Sequence, residues 1–154
     1  MSATPRRFAA ATLVAVFAVA FALVSFPHQG FAQEATQNEE ARTDTLAKKL
    51  IGTWKLEEAS TPGSPSGIGT RLKMFTGTHW SIIQPDAETG VIVFQHGGRY
   101  ELDGDTMKTT RDFAGESTKA MIGSTGSFSI KIDGDKMRQA DSEGVFNETW
   151  IRLK

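Results

Sequence analysis

From Thr53 to the C-terminus, apolar side chains recur at every second position in short runs, separated by clusters of Gly, Pro, Asp and Ser. A period of two sends alternate side chains to opposite faces of an extended chain, so each run reads as a half-buried strand. Trp54 and Leu56 alternate with Thr53, Lys55 and Glu57 before a loop dense in turn residues at 60–69. Leu72 and Met74 then form an apolar face against Arg71 and Lys73, Gly77 marks a turn, and Trp80, Ile82 and Gln84 share the next face. Counting onward gives eight to ten short strands in sequential adjacency. Such a meander removes its exposed edges by closing on itself. The expected fold is all-β: an up-and-down antiparallel β-barrel of eight to ten strands with a short N-terminal helix, capped by Asp44 and ended by Gly52.

Two details refine that reading. Gly97-Gly98 sits inside the run 91–102 and invites a hairpin, but a turn there would put Arg99, Glu101 and Asp103 on the face of Ile92 and Phe94. A continuous strand keeps Ile92, Phe94, His96, Gly98, Tyr100 and Leu102 together, so one long strand bent at the glycines is expected. Farther on, Leu102-Asp-Gly-Asp-Thr-Met107 is echoed by Ile132-Asp-Gly-Asp-Lys-Met137. With Asp-Gly as the two-residue turn, Tyr100 faces Met107 and Ile130 faces Met137. An EF-hand needs many more oxygen ligands at fixed spacing, so Asp-Gly-Asp is turn chemistry. One helical turn fits residues 116–121.

The N-terminus is a different kind of sequence. Residues 8–24 are apolar except for Thr12, follow Arg6 and Arg7, and lead to Gly30 and Ala32 at the −3 and −1 positions of a cut before Gln33. That is the pattern of a secretory signal, so the protein is expected to be exported, periplasmic or extracellular, with no membrane span after cleavage. The organisation read from sequence is a signal peptide over 1–32, a polar flexible linker over 33–44 and one barrel domain over 45–154. With 17 basic against 18 acidic residues, a nucleic-acid partner is not expected. The chain has no cysteine, which excludes disulfides, thiolate metal sites and cysteine nucleophiles.

Leu50-Ile-Gly-Thr-Trp54 opening the first strand, and Glu148-Thr-Trp-Ile-Arg152 in the last, resemble the lipocalin and calycin pattern of a Gly-x-Trp start and a late arginine. The stretches Arg71-Leu-Lys-Met, Gly77-Thr-His-Trp80 and Thr89 to Gly104 are similar to a bacterial lipocalin-like domain of uncharacterised role. The resemblance covers nearly all of residues 46–154. It implies that Gly52, Trp54 and Arg152 form the closed barrel base, with the guanidinium stacked on the indole, and that the barrel binds a small molecule. The chain is shorter than the larger secreted lipocalins and lacks their disulfide, which argues against a deep, hormone-sized cavity.

No catalytic constellation is present. Gly63-Ser-Pro-Ser-Gly67 misses the nucleophile-elbow pattern. Once His28 leaves with the signal, His79 and His96 remain; two imidazoles plus a carboxylate could bind a metal, but His79 points in only if Trp80 points out, so no metal site is expected and no cofactor is implied. More informative are polar residues where alternation expects core. His96 and Tyr100 lie on the apolar face of the long strand, and Glu148 shares a face with Phe146, Trp150 and Arg152. Glu148 and Arg152 are four positions apart, about 13 Å along a strand, so each needs another partner. The expected partner of the protein is a small, partly apolar ligand, with His96, Tyr100 and Glu148 supplying polarity and Trp80 and Trp150 apolar surface. The alternative is a filled barrel serving as an envelope protein-interaction module. An open interior above roughly 300 Å³ favours the ligand.

Overall fold

A computed structural model describes residues 29–60 and 67–154, with side chains described from Gln37 onward. The apolar export segment, His28 and residues 61–66 of the turn-rich loop lie outside the described residues. A helix, α1, spans Gln29–Leu50. It starts well before the turn expected after Asp44 and takes in the stretch read as a linker. Glu39, Glu40, Ala41 and Ala47 are good helix formers, Lys48 and Lys49 complement the C-terminal dipole, and Leu50 anchors the end by full burial. No described helix is long and apolar enough to cross a membrane.

Nine strands follow among the described residues: β1 Gly52–Ala59, β2 Leu72–Phe75, β3 His79–Pro85, β4 Ile92–Asp103, β5 Thr106–Thr110, β6 Phe113–Ala114, β7 Thr125–Asp133, β8 Lys136–Asp141 and β9 Asn147–Arg152. A 3-10 helix, Glu116–Met121, separates β6 from β7. Every pairing is antiparallel, and β3–β4 pairing joins the two ends of the sheet. The result is a closed eight-stranded antiparallel barrel with β6 as an additional strand on β4.

β4 runs without interruption through Gly97 and Gly98. Its first part pairs with β3 and its last part with β5, so this one strand carries the closure. Both glycines are needed for space. A Cβ on Gly98 would stand 2.2 Å from the Thr110 carbonyl oxygen, and one on Gly97 2.5 Å from that of Trp80.

The two Asp-Gly-Asp hairpins differ from expectation by a shift of register. Leu102 pairs with Met107 and Ile132 with Met137, leaving Gly104-Asp105 and Gly134-Asp135 as the turns. Gly104 and Gly134 have φ of +61° and +56°, whereas no described non-glycine residue has positive φ, the pattern of a type II′ turn with glycine first. This setting places one apolar pair directly across each ladder instead of leaving Leu102 opposite Asp105 and Ile132 opposite Asp135. The inward faces are unaffected.

A larger correction concerns β2. Lys73 and Phe75 are buried and Arg71, just ahead of the strand, points the same way, while Leu72 and Met74 are half-buried on the other face. Pairing of Phe75 with Trp80 and of Lys73 with Ile82 dictates this phase. Once Trp80 and Ile82 face inward, Phe75 and Lys73 opposite them do too, and Arg71, two residues before Lys73, shares their face.

Candidate functional site

The interior is divided along the barrel axis. At the base, Trp54, Leu56, Met137 and Trp150 are almost completely buried and join Leu50 in one apolar cluster. The Trp54 indole donates to the Leu50 carbonyl at 2.9 Å, and the Arg152 guanidinium carbon lies 4.1 Å from the Trp54 ring centroid. Arg152 also donates to the carbonyls of Ile51, at 2.8 Å, and Lys49. Gly52 holds φ of +133°, and a Cβ there would stand 2.7 Å from Arg152 Nη1. The glycine, the indole and the arginine thus form one interlocked plug, in which the stacked cation contributes about 0.5 to 2 kcal/mol.

Above the plug the interior opens into a cavity of about 200 Å³. Its inner part is polar. Lys73 Nζ donates to Gln139 Oε1 at 2.8 Å and to Glu148 Oε2 at 3.3 Å, and lies 4.0 Å from the Trp150 ring centroid. Glu148 Oε2 further accepts from Trp150 Nε1 at 3.1 Å and Gln139 Nε2 at 3.4 Å. The carboxylate is therefore held by three side chains. Burial pushes the Lys73 ammonium below its ordinary pKa, against the opposing pull of Glu148. Taking both ions out of water costs several kcal/mol each, which their attraction offsets only because these hydrogen bonds are made.

The outer part is aromatic. Phe94, Phe128, Phe146 and Met121 line it, and Phe146 is 42% exposed, which marks the mouth. Phe128 and Phe146 meet edge to face at 6.4 Å. Arg71 stacks on Phe94 at 4.6 Å and donates from Nε and Nη2 to Gln84 Oε1. Between the two parts lies His96, packed edge to face on Trp80 and Phe94 with centroids at 5.3 and 4.9 Å. Burial, then the charges of Arg111, Lys73 and Arg71, push its pKa down to about 4, so the imidazole is neutral at neutral pH. Its Nδ1 is buried without a hydrogen-bond partner.

The structure brings Trp80, His96 and Glu148 together around this cavity. Trp150 lies beneath it as the floor under Lys73. Tyr100 does not reach it: its hydroxyl donates to the Thr76 carbonyl and its ring packs edge to face on Phe75 at 5.4 Å, so its polarity is used internally. His79 points outward and contacts Thr78, which leaves His96 as the imidazole of the interior among the described residues. Sequence reasoning missed Lys73, Gln139, Arg71 and Arg111. The signal for Lys73 and Arg71 was the β2–β3 hairpin register, because pairing Phe75 with Trp80 fixes their direction.

Larger depressions exist on the outer surface, such as that of about 600 Å³ between α1 and β7 and that of about 540 Å³ along β4, β5 and β7. Both are more open to solvent and hold none of the buried polar network.

This closed meander is shared with solved structures. A lipocalin-like protein from Bacteroides uniformis matches with a TM-score of 0.53 and 16% identity, over 68% of this chain and 98% of that one. The fold is lipocalin-like. An uncharacterised protein from Bacteroides eggerthii matches equally, with a TM-score of 0.53 and 16% identity over 68% of this chain and 99% of its own. No protein-family model and no curated protein matches the sequence. The likeness therefore carries the lipocalin-like architecture, and the chemistry must come from the interior side chains.

Proposed function

We propose that the chain is an exported lipocalin-like barrel that binds a small, partly apolar molecule in its interior cavity. The observation that carries this reading is the union of an aromatic mouth with a buried polar interior in which His96 Nδ1 has no partner. A buried polar atom left unmatched costs about 1 to 3 kcal/mol, and a ligand atom is one way to recover it. The volume of about 200 Å³ falls short of the roughly 300 Å³ that favours a ligand on size alone, so the reading rests on the unmatched nitrogen and any ligand is small. Export follows from the N-terminal signal pattern alone.

Tryptophan fluorescence tests the binding role, since Trp80 lines the cavity and Trp150 floors it. Small aromatic and short-chain probes are expected to give a saturable change in the wild type. Tyr100→Phe should leave that change intact because its hydroxyl serves Thr76. Absence of a saturable response to every probe would sink the reading. The second reading is a protein-interaction module. It is favoured by exposed Val91, Ile92 and Val93 ahead of and along the start of β4, with Val145 and Phe146 before β9. Affinity capture of a partner that is lost on Val91→Ser/Val93→Ser substitution would support it.

A further inference from the structure

We infer that the ligand is a small amphipathic anion, an aryl or short alkyl carboxylate whose ring or chain lies among the mouth aromatics and whose carboxylate reaches Arg111 and His96. This inference rests on the small-molecule reading above and narrows it to one chemical class.

The first support is charge. Arg71, Lys73 and Arg111 line the cavity, and Glu148 is the only carboxylate among the residues lining it. These three cations outweigh Glu148 by two positive charges, since Arg71 meets the neutral amide of Gln84. Lys73 is committed to Glu148 and Gln139. Part of the excess therefore falls on Arg111. Its Nη1 donates to the Ser124 hydroxyl at 3.0 Å and the Thr125 carbonyl at 3.3 Å, both neutral groups. Its Nε is buried and has no partner.

The second support is the coincidence of two unmatched nitrogens in one cavity. Arg111 Nε and His96 Nδ1 are two of the three buried side-chain polar atoms that lack partners among the described residues. Of the charges acting on His96, that of Arg111 has the largest effect. A guanidinium N–H and the imidazole N–H of the Nδ1-protonated His96 tautomer suit a carboxylate, which accepts on two oxygens. The aromatic mouth sets the orientation, with the charged end leading.

The experiment compares benzoate with its neutral isostere benzamide on the full chain, by calorimetry and by nuclear magnetic resonance of the Trp80 indole and His96 imidazole. Benzoate is expected to bind at least about tenfold more tightly than benzamide, the usual advantage of a charged hydrogen-bond pair. Arg111→Gln should erase that preference by weakening benzoate far more than benzamide, and Arg111→Lys should restore part of it. Saturation with benzoate should also raise the His96 pKa from about 4, since an added negative charge favours the imidazolium. This last measurement needs no variant and decides the matter if Arg111→Gln does not fold. Equal binding of the two probes, or a benzoate preference that survives Arg111→Gln, would overturn the anion and leave a neutral small-molecule site. If benzoate, benzamide, octanoate and octanol all fail to saturate, the binding function falls with it.

Discussion

Arg152 closes one end of the barrel and Arg111 lines the cavity toward the other, and the two guanidiniums are satisfied differently. Arg152 stacks on Trp54, donates to two backbone carbonyls and approaches Asp135 Oδ1 at 3.7 Å. Arg111 has two neutral acceptors, no carboxylate partner among the described residues, and a buried Nε left without one. The base is a finished structure, built by packing around apolar side chains. The cavity end carries charge and hydrogen-bonding capacity beyond what the fold consumes. Substitutions at the base should therefore register as stability, and substitutions around the cavity as coupling between neighbours and as dependence on solution conditions.

The largest effect is expected at Trp54. Truncating a fully buried indole that packs against Arg152 and bonds Leu50 removes both transfer energy and packing, so Trp54→Ala should cost about 3 to 5 kcal/mol in denaturant unfolding. A loss below half a kcal/mol would mean that the base plug contributes nothing, and the contrast between the ends would collapse.

Next comes the buried ion pair. Glu148→Gln strands the Lys73 ammonium over the Trp150 ring and should cost about 3 kcal/mol, toward the lower bound for breaking a buried pair because Gln139 still accepts from Lys73. Adding Lys73→Met should recover most of that loss, since the methionine stem can occupy the same place above Trp150 and the introduced amide oxygen can still accept from the Trp150 indole. A double variant as unstable as the single would show that the network is structural throughout, like the base.

Arg152→Ala should cost less than Trp54→Ala, about 1 to 2 kcal/mol, because the guanidinium is partly exposed and its loss leaves carbonyls that water can reach. If it costs as much as Trp54→Ala, the arginine is a principal support of the plug and not its cover.

The same contrast explains what was legible in the sequence. The base was, because Trp54 sits in a clear period-two run, and Gly52 and Arg152 fit the resemblance to lipocalins. So was the continuity of β4 through Gly97-Gly98, since a local face argument settles it, and the 3-10 helix falls where one helical turn fitted residues 116–121. The cavity was half legible. His96 and Glu148 stood out as polar residues on apolar faces, but Lys73 did not, because Leu72 and Met74 offered a more apolar face than Arg71 and Lys73. Burial of a lysine is favourable only with a partner, and Glu148 lies 75 residues away in sequence. Alternation along one strand cannot see such a pairing. The hairpin register was missed for a related reason: Asp-Gly and Gly-Asp are both acceptable turn pairs, and only the cross-strand contact of Leu102 with Met107 chooses between them.

A further effect concerns His96 and pH. In the unfolded chain this imidazole titrates near its ordinary value of 6.5, while in the barrel burial and the charges of Arg111, Lys73 and Arg71 hold its pKa at about 4. Between those values the unfolded state takes up a proton that the folded state refuses, so stability should decline as pH falls from about 6.5 and level off below about 4. The depressed carboxyls of Asp86, Asp112 and Asp135 start from an ordinary value of 3.8, so their losses fall at lower pH. His96→Leu, which fills the space against Trp80 and Phe94 without titrating, should flatten the upper window and leave the lower one unchanged. The measurement is unfolding free energy against pH for both proteins. If the two curves run parallel from pH 6.5 to 4, neither burial nor the neighbouring cations lower the His96 pKa, and the electrostatic difference between the two ends of the barrel disappears with it.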